Sequence, residues 1–132
     1  MEKTEHSRQN SIETVLNTLL AQGHFSSAVV ASNEGLPLAT AGKADTTLIA
    51  AVAAAIKRLA ERAQQSPAEI TSRSVGGERI IIRYFSVGEE LLLLSITMPP
   101  GRHPYRRLTN YAIRDIKKIL TTPSPSYNTG RL

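Results

Sequence analysis

The stretch GLPLATAGKA, residues 35 to 44, brings two glycines, a threonine and a lysine close together and comes near the loop that cradles phosphates. That loop needs four residues between its glycines, then a lysine, then a Ser or Thr for magnesium, because consecutive free N–H groups form the cradle. Here six residues separate Gly35 from Gly42, Ala44 stands where the metal-binding hydroxyl belongs, and Pro37 removes one N–H. Nucleotide binding is therefore not expected. His6, His24 and His103 fall in a tail, a helix-to-strand loop and a proline-flanked loop, with no second ligand at metal spacing beside any of them. Serines are plentiful, yet no G-x-S-x-G occurs. The chain has no cysteine, which excludes disulfides, zinc-thiolate sites and thiol nucleophiles and suits a reducing, cytoplasmic compartment. No catalytic residue, cofactor or metal site is expected from these motifs.

Charge is the second chemical feature. Sixteen Lys and Arg stand against eleven Asp and Glu, a net charge of +5. Arg106, Arg107, Arg114, Lys117 and Lys118 fall in one arc of the last helix, with Asp115 the nearest acid. Such a face attracts phosphates, anionic membranes or acidic proteins. It is also what an ordinary solvated helix surface looks like, with Lys117 and Lys118 favourable at the C-terminal end of the dipole. The solvated reading is preferred; binding of nucleic acid or an anionic surface through this helix is kept as the alternative.

The elements that must position these residues follow from periodicity and turns. Residues 1 to 10 and 121 to 132 are too polar, or too rich in Pro, Ser and Thr, to bury much apolar surface, and are expected as disordered tails around one domain at 11 to 120. No apolar run approaches the roughly 18 residues of a membrane span, so a soluble protein is expected. Asn10 and Glu13 have capping-box spacing ahead of Ile12, Val15, Leu16, Leu19 and Leu20, and Gly23 ends this first helix. FSSAVVAS is apolar on both faces and predicts a central strand. Asn33, Glu34 and Gly35 make a turn, and LPLAT returns as an edge strand because Pro37 cannot donate to a ladder.

Asp45, Thr46 or Thr47 caps a second helix running to about Gln65. Leu48, Ile49, Val52, Ile56, Leu59 and Ala63 share one arc, which is expected to face the sheet. The opposite arc carries Ala50, Ala51, Ala53, Ala54 and Ala55, then Lys57, Arg58, Glu61 and Arg62. Small residues let a second backbone approach, which suggests a helix-on-helix contact across a two-fold axis; alanine is equally the best helix former. EITSRSV predicts a weak polar strand, Gly76 and Gly77 a turn, and ERIIIRYFSV and ELLLLSITM two strong strands. Pro104 opens a last helix whose buried stripe is Tyr105, Leu108, Ala112, Ile116 and Ile119. The order α-β-β-α-β-β-β-α, with strands apolar on both faces, predicts a three-layer α/β/α sandwich around a five-stranded antiparallel sheet.

AVVASNEGLPLAT, LIAAVAAAIKRLAERA and RIIIRYFSVGEELLLLSI, in this order, resemble the first hairpin, central helix and last two strands of the Roadblock/dynein light-chain family, over roughly residues 11 to 120. The resemblance implies a profilin-like fold and a homo- or heterodimer whose central helices pack side by side and whose middle strands pair. It implies a dimer contact through Ala50, Ala51, Ala54 and Arg58 with Ile70, Ser72, Ser74 and Val75. It also implies a scaffold or signalling role, in which the joined surface docks a small Ras-like GTPase or a motor-complex subunit, with Lys57, Glu61 and Arg62 facing that partner.

Overall fold

The computed structural model describes residues 2–43, 45–65 and 68–121. Its elements are α1 (Glu2–Gly23), β1 (Ser27–Ser32), β2 (Pro37–Gly42), α2 (Thr46–Arg62), β3 (Glu69–Arg73), β4 (Arg79–Val87), β5 (Glu90–Met98) and α3 (Arg106–Thr121). The strands form one antiparallel sheet in the order β2-β1-β5-β4-β3. As expected, β1 is interior and buried on both faces, while β2, with Pro37 as its first residue, pairs on one side only.

Alternation along the strands divides the interior into two cores. On one face Ile81, Phe85, Leu92, Leu94 and Ile96 meet Ile12, Leu16 and Leu19 of α1 and Ala112, Ile113 and Ile116 of α3. On the other, Val29, Ala31, Ile82 and Leu93 meet Ala50 and Ala53 of α2. The expected three-layer sandwich is the observed one, with two helices on one face and one on the other. The lone helix lies chiefly over β1, β2 and β5, leaving part of that face, toward β3, without a helix.

Two hairpins are built alike. Ser32 accepts the Gly35 N–H at its carbonyl (2.9 Å), its own N–H bonds the Leu36 carbonyl (2.9 Å), and its hydroxyl accepts from the Leu36 N–H (3.2 Å). Ser74 repeats this with Gly77 and Glu78 at 3.0, 2.8 and 3.1 Å. The third loop residue is a glycine with φ of 92° and 93° respectively, the conformation a side chain resists. Gly35 has a second duty. A Cβ there would stand 3.2 Å from the Ala50 carbonyl, the Ala51 Cα and the Ala54 Cβ, so the turn docks directly beneath the start of α2.

At three helix ends the structure corrects or narrows the expectation. First, α1 begins at Glu2, so residues 2 to 10, expected as a tail, are helical. Glu, Lys, Arg and Gln are good helix formers, and a buried nucleus at Ile12 to Leu19 lets the helix propagate outward at little cost. Asn10 is consequently not a cap; its carbonyl accepts from the Thr14 hydroxyl (3.0 Å). Second, the Asp45 carbonyl takes the first α2 bond, from the Ile49 N–H (3.0 Å), which makes Asp45 the N-terminal cap. Third, α2 ends at Arg62, where Gln64 turns left-handed (φ 60°) and the Gln65 N–H bonds back to Ala60 (2.9 Å). Ser66 and Pro67, expected to close it, lie outside the described residues, as does the C-terminal tail beyond Thr121.

The largest correction concerns the rotation of α2. Ala50, Ala53 and Ala54 are fully buried beneath the helix, whereas Val52 is 48% and Leu59 63% exposed. Of the arc expected to face the sheet, Ile49 and Ile56 are half-buried against the core on that side, whereas Val52 and Leu59 face outward, and much of the alanine arc faces in. A hydrophobicity wheel assumes that the bulkiest residues go inside; here alanine methyls lie beneath the helix, and Val52 and Leu59 stay outside. Replacing Ala53 by Leu is therefore expected to destabilise the fold by about 1–3 kcal/mol, and Ala51→Gln on the outer side by less than about 0.5 kcal/mol. Urea denaturation of the two variants measures both.

Candidate functional site

Two surfaces stand out on the α2 side of the sheet. The outer side of α2 presents Ala51, Val52, Arg58, Leu59 and Arg62, all exposed. Beside it lies β3, which pairs only with β4. Ile70 and Ile80, half-buried on that face, form a shelf between the two. An apolar helix ridge next to an unpaired strand edge offers side-chain burial and main-chain hydrogen bonds together.

The sequence-derived site residues divide accordingly. Ala51, Arg58, Ser72 and Val75 are exposed and Ile70 is half-buried. Ala50 and Ala54, expected in a contact with a second copy, are instead covered by this chain's own hairpin and sheet, because the helix is rotated as described. Ser74 is exposed, but its hydroxyl is occupied in the β3–β4 turn. Val52 and Leu59 belong to the ridge, whereas periodicity alone places them in the core; nothing in their spacing distinguishes outside from inside.

Lys57, expected to face a partner with Glu61 and Arg62, is only 6% exposed. Its ammonium donates to Glu61 Oε2 at 2.7 Å and stands 5.8 Å from the centre of the Tyr84 ring. Ala53 and Ala54 one turn earlier leave the room for its stem to lie along the sheet. The Tyr84 hydroxyl donates to the Ala53 carbonyl (3.1 Å), tying β4 to α2. Glu61 and Arg62 remain exposed.

The opposite face holds β3 electrostatically. Glu69 accepts from the Tyr105 hydroxyl (2.6 Å) and lies 3.5 Å from both Arg83 Nε and Arg106 Nη2. Arg83 also donates to the Thr109 hydroxyl (2.8 Å) and to the Asn110 side-chain oxygen, and Thr109, fully buried, donates on to the Tyr105 carbonyl (2.9 Å). The bond to Glu69, followed by burial, holds the Tyr105 phenol above its ordinary pKa. Sequence reasoning missed this group. Its signals are a charge inside IIIRYF and a threonine on an apolar helix stripe. The five basic residues expected on one face of α3, Arg106, Arg107, Arg114, Lys117 and Lys118, are all exposed. Arg107 donates weakly to the Tyr111 hydroxyl (3.4 Å), which lowers the Tyr111 pKa.

An antiparallel sheet backed by two helices, with one helix offset on the other face beside a bare edge, defines a three-layer α/β/α domain. The Roadblock/LC7 domain model matches residues 11–94, and the chain belongs to that family. It is similar in fold to Myxococcus xanthus MglB (18% identity, TM-score 0.60, 85% of this chain and 86% of that one). It is also similar to the gliding protein MglB of Thermus thermophilus (16%, 0.67, 85% and 90%). A third likeness is to an MglB structure described as having a tetrameric arrangement (15%, 0.63, 85% and 87%). No curated protein matches significantly. Among the described residues, no helix is long and apolar enough to cross a membrane.

Burial, with a smaller contribution from the Glu61 carboxylate, raises the Tyr84 phenol above its ordinary value of 10.0. The unfolded chain loses this proton first, so the contribution to stability is full below about pH 10 and is lost as pH rises through the folded value. Tyr84→Phe is expected to cost about 1 kcal/mol near neutrality, from the lost bond to Ala53, and to make the alkaline loss of stability shallower. Denaturation curves from pH 7 to 11 for both proteins test this.

Proposed function

We propose that the protein is a non-enzymatic, self-associating adaptor that docks a small Ras-like GTPase on the surface formed by paired α2 helices. The observation that carries this reading is the exposed pair Val52 and Leu59 on α2, beside the unpaired edge of β3. A second copy related by a two-fold axis would set its α2 on the Ile70 and Ile80 shelf and align its β3 with this one, continuing the sheet. Such an isologous contact buries both ridges at once and satisfies two edges. Membership of the Roadblock/LC7 family and the tetrameric arrangement of one MglB relative support self-association.

In this arrangement the interface consists of Ala51, Val52, Arg58 and Leu59 with Ile70, Ser72 and Val75. Glu61 and Arg62, exposed at the end of α2, face the GTPase. A cytoplasmic setting follows from such a partner. The GTPase itself is supported by the resemblance to the family rather than by a feature of this surface.

Light scattering after size exclusion is expected to give twice the chain mass, and Leu59→Asp combined with Val52→Asp to give the monomer with its fold intact. A monomeric wild type at micromolar concentration rejects the self-association. Capture of a GTP-loaded small GTPase encoded in the same genome, weakened at least tenfold by Glu61→Arg with Arg62→Glu, tests the second half; about tenfold corresponds to the loss of one charge-assisted contact. Capture that is absent or independent of the bound nucleotide rejects it.

A further inference from the structure

On the α3 side, at the end of the sheet away from the β1–β2 hairpin, arginines from three separate elements converge on one recess. Arg79 opens β4, Arg102 and His103 come from the β5–α3 loop, and Arg106 and Arg107 form the first turn of α3. They line a cleft of about 460 Å³ together with Pro104 and Tyr105, and among the described residues no carboxylate belongs to its lining. An adjoining recess of about 290 Å³ shares Arg102, His103 and Arg107 and adds His24 from the end of α1. The two loops carrying His24 and His103, far apart in sequence, thus meet at one place.

This concentration of charge is not what the fold needs. Several cations near the sheet have carboxylates: Lys57 has Glu61, Arg83 shares Glu69 with Arg106 of the cleft itself, and Arg114 has Asp115. Among the described residues, Arg79 and Arg102 form no ion pair. Arg79 is moreover directly opposite Arg73 in the β3–β4 register, and like charges placed directly across a ladder are destabilising. A solvated helix face gathers cations from one element, not from a strand, a loop and a helix turn into a concavity. Concave walls focus the field of such charges, and the guanidinium fork matches phosphate oxygens two at a time.

We propose that this cleft binds a phosphate group bearing at least two negative charges, held by Arg79, Arg102, Arg106 and Arg107. The phosphate is presented either by a soluble phosphate ester or by a lipid headgroup of the same chemistry. The first turn of α3, which lines the cleft, adds a smaller positive field. The site lies on the opposite face of the sheet from the α2 ridge, so occupancy there leaves the proposed docking surface free and does not depend on it.

Calorimetric titration of the full chain with inorganic pyrophosphate near physiological salt tests the site. The expected result is saturable binding that weakens about a hundredfold in Arg79→Gln with Arg102→Gln, each lost bidentate contact being worth about tenfold. Lys117→Gln with Lys118→Gln removes the same charge from the far end of α3 and is expected to leave binding unchanged. Sedimentation with vesicles of phosphatidylcholine containing phosphatidic acid identifies the source. Vesicle capture that the arginine pair abolishes, without pyrophosphate binding, assigns the phosphate to a headgroup; pyrophosphate binding alone assigns it to a soluble ester. Absence of both, or equal loss in the two double variants, overturns the proposal. Thermal melting gives an independent readout. Without ligand the arginine variant is expected to melt at or above the wild-type temperature, since repulsion is relieved, whereas a lower melting temperature would make these arginines structural and overturn the site. Pyrophosphate is expected to raise the melting temperature of wild type only.

Discussion

The close approach of α2 to the sheet sets the character of this molecule. Ala50, Ala53 and Ala54 lie between helix and strands, and Gly35 in the β1–β2 turn admits the helix backbone where any Cβ would crowd it. The larger apolar residues Val52 and Leu59 are thereby left on the outside, and Lys57 can pass along the sheet to reach Tyr84 and Glu61. A helix seated on bulkier side chains would have buried its ridge and exposed nothing for a partner.

The edge strand β3 is held by a different kind of force. It is short and polar, and on the α3 side Glu69 binds Tyr105, Arg83 and Arg106. These contacts are partly buried and mutually bonded, which makes them firmer than isolated surface ion pairs. The strand is thus anchored from one face while the other, carrying Ile70 and Ser72, stays open. Thr109 extends the anchor into α3, so the position of β3 is registered against the same helix turn that carries Arg106 and Arg107.

Much of the architecture can be read before any coordinates. Strand alternation, the glycine turns and Pro37 lead to the sheet, its edge and its two helical layers, because each is decided by local chemistry. The outward side of α2 cannot be read so. Apolar residues surround most of that helix, and only the spacing between helix and sheet, a tertiary quantity, decides which of them are enclosed. The same holds for α1, where burial predicts a start near Asn10 but helix propensity carries the backbone back to Glu2. The basic arc of α3 is visible as a stripe. Its convergence with Arg79 and Arg102 is not, since those residues are far apart along the chain and meet only through the sheet and the β5–α3 loop.

The two ends of the sheet are unequal, and that inequality limits how the protein can polymerise. The β2 margin begins with a proline and packs against α1, whereas β3 has neither safeguard. A ribbon with one sealed border and one receptive border cannot lengthen indefinitely by strand addition. Joining receptive border to receptive border exhausts the supply after a single step, leaving a closed pair with sealed margins at both extremes. In the proposed pair, strand addition at β3 therefore stops at two copies rather than running on into a fibre.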